Sequence, residues 1–107
     1  MRYAKDNKTH YRGMLWFFFK GKDKSQEAIE LIGCNRQELL DHLQRQFKTG
    51  MTWETYGRSG WHIDHIVPVN FFNLDDEDQR NTCFHYTNLQ PLWRAENSAK
   101  GARLISV

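Results

Sequence analysis

Cysteine is scarce in this chain of 107 residues: Cys34 and Cys83 are the only two, and neither stands in a C-x-x-C pair. That scarcity speaks against a disulfide framework and a four-cysteine zinc site, so reduced, partly buried thiols are expected. Long apolar runs are also missing. The longest, Met14 to Phe19, falls far short of the roughly 20 residues of a membrane-spanning helix, and no signal-peptide pattern opens the sequence. A soluble, cytoplasmic protein without a membrane partner is expected. Repeats and low-complexity tracts are absent too, and the length is too short for two ordinary domains. One compact domain over residues 1–107 is therefore expected.

Aromatic residues, by contrast, are plentiful. Four Trp, four Tyr and seven Phe make up 14% of the chain, which predicts a core of large rings packed between short elements. The net charge is only +2, but it is unevenly spread. Residues 1–24 hold seven Lys or Arg against two Asp, while Asp75, Asp76, Glu77 and Asp78 form an unbroken acidic run. The basic amino-terminal arm can neutralise phosphates, although a solvated helix face accounts for such a cluster equally well.

The first half reads as a helical scaffold over residues 1–60. Tyr11, Met14, Leu15 and Phe18 recur at helical spacing and predict a helix from about Thr9 to Phe19 that stops near Gly21. Ser25 can cap a second, short helix with Ala28, Ile29 and Ile32 on one face and Gly33 as its stop. Asn35 with Glu38 resembles a capping box, followed by Leu39, Leu40, Leu43 and Phe47 on a third helix. Met51 to Gly60 reads as a loop packed down by Trp53 and Tyr56.

In the second half, Trp61 to Pro68 suits a strand that ends at the proline. A loop pinned by Phe71 and Phe72 is expected from Val69 to Arg80, then an extended stretch from Cys83 to Trp93, an edge strand because of Pro91. A helix is expected from Arg94 to about Gly101.

The chemistry-bearing residues lie in this half. Asp64-His65 puts a hard oxygen ligand beside a group that titrates near neutrality, a pairing suited to metal-assisted attack by water. The pair alone is weak, since His62, Asp64 and His65 also suit an ordinary half-exposed strand and turn. Asn97 adds to it. On a helix, Arg94, Asn97, Lys100 and Gly101 share one face, so an oxygen donor stands between cations. If that face packs on the strand end, Asp64 and Asn97 can share a divalent cation and leave coordination positions for water and phosphate.

His62-Ile-Asp64-His65-Ile-Val-Pro68, then Asn88-Leu-Gln-Pro-Leu-Trp93, then Asn97-Ser-Ala-Lys100-Gly101 resembles the HNH endonuclease pattern, including its nine-residue step from Asn88 to Asn97. The Gly33-Cys34-Asn35 and Met51-Thr52-Trp53-Glu54 segments look similar to small phage-encoded HNH proteins. The resemblance implies an α+β fold, with the helical half packed on a ββα-metal (His-Me finger) motif over residues 61–107. It implies that Asp64 and Asn97 bind one divalent metal ion, Mg²⁺ or Mn²⁺, that His65 is the general base, and that Asn88 ties the loop between the strands. Two features depart from the family: the paired C-x-x-C zinc ligands of many members are absent, and the loop from His65 to Asn88 is long.

Other assignments are weaker. His62 points to the same side as Asp64 and is a third ligand, a phosphate contact or a flanking polar residue. A structural zinc site from Cys83, His85 and Cys34 or His42 matches no standard spacing and is not expected. Arg94, Lys100 and Arg103 can touch DNA phosphates, Lys100 being the best placed, although helix ends collect cations for dipole reasons as well. Trp53, Tyr56, Trp61 and Trp93 can stack on bases but are expected mainly in the core. DNA is the expected partner, for a monomer or homodimer, with other phage proteins as further candidates. The rival readings are a DNA-binding or packaging accessory protein on the same fold and a zinc-stabilised binding module.

Overall fold

The computed structural model describes residues 7–100, leaving aside the side chains of residues 98–100. Helix α1 (Asn7–Phe19) buries Met14, Leu15, Phe18 and Phe19. Local chemistry sets the limits of the next two helices. In α2 (Gln26–Ile32) the Ser25 side chain accepts from the Ala28 N–H, and Gly33 closes the helix at φ 82°, a left-handed conformation that favours glycine. In α3 (Arg36–Gln44) the full capping box forms: Asn35 Oδ1 accepts from the Glu38 N–H and Glu38 Oε1 from the Asn35 N–H, both at 2.8 Å. Leu39 and Leu43 of α3 are fully buried. Phe47 falls past the end of α3 at Gln44, because the chain turns off the helix at Arg45 to Phe47.

A two-stranded antiparallel ribbon carries the second half. Strand β1 (Trp61–His65) pairs with β2 (Leu89–Trp93) in the register Trp61 to Trp93, Asp64 to Gln90 and His65 to Leu89. The expected strand from Trp61 to Pro68 is thus shorter, ending at His65, since Pro68 opens a 3₁₀ turn over Val69–Phe71. The expected loop and extended stretch between the strands also give way to helix. Helix α4 (Glu77–Phe84) takes up Cys83 and Phe84, a second 3₁₀ turn covers Tyr86–Asn88, and only Leu89–Trp93 is extended. The acidic run makes this helix: Asp76 Oδ2 accepts from the Gln79 N–H at 3.2 Å, and Glu77 and Asp78 lie in the first turn, where acids favour the helix dipole. Phe71 does not pin the loop; it is 54% exposed. Helix α5 (Arg94–Lys100) follows β2 without a break and packs on both strands.

The two halves meet in a cluster of rings. Trp61 is fully buried, with its ring centroid 5.2 Å from Phe47, 5.8 Å from Trp53 and 5.0 Å from Tyr56, and Phe19 of α1 joins the same group. The buried Trp61 indole N–H donates to the Thr52 carbonyl at 2.7 Å, which removes the cost of burying it. His42, on α3, fastens the other end of the ribbon. Its Nε2 donates to the Leu89 carbonyl at 3.0 Å, and Gln46 Nε2 donates to the same oxygen at 3.3 Å. No helix among the described residues is long and apolar enough to cross a membrane.

Candidate functional site

The end of β1 is held from three directions. Asp64 is 8% exposed, and a carboxylate in that position requires a polar partner. Gln90, directly across the ribbon, supplies one, donating from Nε2 to Asp64 Oδ2 at 2.9 Å. Successive strand residues face opposite ways, so the neighbouring His65 lies across from Leu89 instead, with its ring edge-on to Phe84 of α4 at 4.8 Å. Asp64 and His65 thus reach the end of the ribbon from its two faces.

Asn88 bridges the chain just beyond them. Its Oδ1 accepts from the Val67 N–H at 2.9 Å, and its Nδ2 donates to the Val67 carbonyl at 3.2 Å and to the Cys83 carbonyl at 2.9 Å. Its backbone carbonyl accepts from the Ile66 N–H at 2.8 Å. One amide therefore joins the segment leaving β1, the last turn of α4 and the start of β2. The long connection between the strands is clamped at its base, and His65 stands two residues before the clamped Val67.

On the other side of the ribbon, α5 begins at the residue after β2, and the Arg94 N–H donates to the Gly60 carbonyl at 2.9 Å. That bond ties the start of α5 to the start of β1. Asn97, one turn further along, is half-buried, Arg94 is exposed, and Glu96 pairs with Lys48 of the helical half at 3.7 Å. No larger residue fits at Gly60 without a backbone shift, because a Cβ there would stand 1.7 Å from the Thr55 carbonyl oxygen. The Lys100 side chain, Gly101 and Arg103 lie outside the described residues.

His62 shares the Asp64 face, but its Nε2 donates to the Arg58 carbonyl at 3.0 Å, across a turn in which Arg58 takes φ 44°. Its ring leans on Tyr56 at 5.8 Å. The two cysteines lie apart from this chemistry as buried thiols. Burial pushes Cys34 up to about 11, with the Glu38 charge adding to it, and Cys83 up to about 12.

Asp64 and Asn97 offer one carboxylate and one amide oxygen. Among the described residues no cluster of three or more His, Cys, Asp or Glu side chains is disposed to hold a metal. Carboxylate and amide oxygens are donors of the kind a hard ion takes. Sequence reasoning passed over Gln90, since only the strand register shows that it faces Asp64. It passed over Gly60 as well, whose signal, a glycine immediately before a strand, is shared by many ordinary turns.

The chain is similar to two uncharacterized proteins of Acanthamoeba polyphaga mimivirus. One is 32% identical over 108 residues, covering 97% of this chain and 47% of the relative. The other is 43% identical over 68 residues, covering 64% of this chain and 30% of the relative. The chain thus spans less than half the length of these relatives. No family model matches it, and no solved structure does.

Proposed function

We propose that this domain is a metal-dependent DNA endonuclease of the HNH type, built on a ββα-metal motif formed by β1, β2 and α5. The observation that carries the reading is the Asn88 clamp: one side-chain amide holds the chain just after Asp64-His65 by two hydrogen bonds to Val67 and ties it to α4 by a third, to the Cys83 carbonyl. A general base must hold its orientation through the reaction, and a rigid backbone beside it serves that end. The direct run of β2 into α5, which carries Asn97, supports the same reading.

In this mechanism His65 would accept a proton from the attacking water, and Asp64 and Asn97 would hold the metal against the phosphate. A hard divalent cation such as Mg²⁺ or Mn²⁺ held by those two oxygens would supply charge stabilisation at the phosphate and the leaving oxygen. Gln90 holds the Asp64 carboxylate in place, and Arg94 on α5 is available to a neighbouring phosphate.

Incubation of supercoiled plasmid with the purified protein in Mg²⁺, Mn²⁺ or excess chelator tests the reading. Open-circle or linear product with metal and none with chelator is the expected result. Binding of DNA without turnover in any metal would leave an accessory DNA-binding protein in its place.

A further inference from the structure

The exposed end of α1 carries an arrangement that the proposed nuclease site does not use. Trp16 and Phe17 are 40% and 48% exposed, and the Lys20 ammonium lies 5.6 Å from the Trp16 ring centroid and 5.2 Å from that of Tyr56. The Lys22 ammonium stands over Trp16 at 5.6 Å. Beside them a surface pocket of about 360 Å³ has an apolar floor that includes Trp53 and Tyr56, with Lys20 and Arg36 at its rim. Among the described residues Lys20, Lys22 and Arg36 have no carboxylate oxygen within 4.0 Å, the one ion pair being Lys48 with Glu96. The rings hold the two lysines without neutralising them, and Arg36 Nε donates to the Phe19 carbonyl at 2.9 Å.

This surface is continuous with the candidate active site. Tyr56 lies 5.2 Å from the Lys20 ammonium and 5.8 Å from the His62 ring, and His62 is two residues before Asp64 on the same strand face. A path of rings and cations therefore leads from Trp16 along Tyr56 to the ribbon end.

We infer that this path binds an unpaired DNA strand beside the position of cleavage, with bases stacked on Trp16 and in the Tyr56 pocket and phosphates on Lys20, Lys22 and Arg36. The exposed rings of Trp16 and Phe17 favour this occupant over duplex, because paired bases offer a protein only their edges while an unpaired base offers its face; a base stacking on Trp16 takes the place of a lysine ammonium over the ring and leaves that ammonium to its phosphate. The uncompensated cations supply the charge complement. The inference rests on the endonuclease reading for its purpose, while the binding itself needs neither metal nor turnover.

The test uses full-length His65→Ala protein in chelator, with a short fluorescein-labelled single strand and the duplex of the same sequence, read by anisotropy. The single strand is expected to bind more tightly than the duplex. Adding Trp16→Ala should weaken single-strand binding about tenfold. Adding Lys20→Gln with Lys22→Gln should flatten the slope of log affinity against log salt by about 0.7 per lost phosphate contact. Unchanged thermal melting by circular dichroism separates lost binding from lost folding. Single-strand affinity that is indifferent to both changes, or a preference for duplex, would overturn the inference, and so would failure to bind either nucleic acid, which would point to a protein partner. Loss of affinity with Trp16→Ala, in a wild-type protein that nicks no plasmid, would support the groove and remove the nuclease reading.

Discussion

Asn88 makes the most consequential contacts of any single residue. Its amide serves one N–H and two carbonyls of partly buried backbone, and truncation leaves all three without that partner. Asn88→Ala is expected to cost about 2–3 kcal/mol, measured by urea denaturation. Asn88→Asp should recover only part of that, since it keeps the acceptor for Val67 and loses both donated bonds. The cysteines give a second prediction at this scale. With Cys83 raised from 9.0 to about 12 and Cys34 to about 11, folded and unfolded chains both carry protonated thiols below pH 9. As pH rises past 9 the unfolded chain releases those protons first, so their contribution to stability falls between about pH 9 and pH 12. Denaturation midpoints across that window should decline, and native thiols should resist iodoacetamide at neutral pH while unfolded ones react.

At the scale of elements, Gly60 joins β1 to α5. Gly60→Ala would drive a methyl group into the Thr55 carbonyl and must displace the 3₁₀ turn at Trp53–Thr55 or the start of β1. A destabilisation above about 3 kcal/mol is expected from denaturant melts. Helices α2 and α3 were legible in the sequence because their limits are local chemistry: Ser25, Gly33 and the Asn35–Glu38 box act within one turn of chain. Helix α4 was not. Its sequence, EDQRNTCF, buries only Cys83 and Phe84, so it carries no apolar stripe, and its acidic run read as a surface loop. The overlooked signal was Asp76 as a cap followed by two acids in the first turn. Ile66 and Val67 have strand propensity, yet pairing stops at His65, where the Asn88 clamp takes over the backbone of Val67.

For the molecule as a whole, the ring cluster around Trp61 explains how a small domain holds a ribbon of only two strands, an arrangement with little stability alone. Phe19, Phe47, Trp53 and Tyr56 enclose Trp61 from the helical half, and His42 and Gln46 grip Leu89 at the opposite end. The ribbon is thereby presented with Asp64 and His65 at its end. The proposal of Asp64, His65, Asn88 and Asn97 as site residues rests on the likeness of their motifs to the HNH pattern, whereas the Gln90 contact, the His62 bond to Arg58 and the cationic ring path along α1 depend on which elements pack together. The central claim is that His65 acts as a base at the end of this clamped ribbon. The most direct measurement is the initial rate of supercoiled-plasmid nicking in Mg²⁺ by the wild type and by His65→Ala, each shown to be folded by circular dichroism. A loss of about 100-fold or more in the variant is predicted; equal rates for the two proteins would contradict the account.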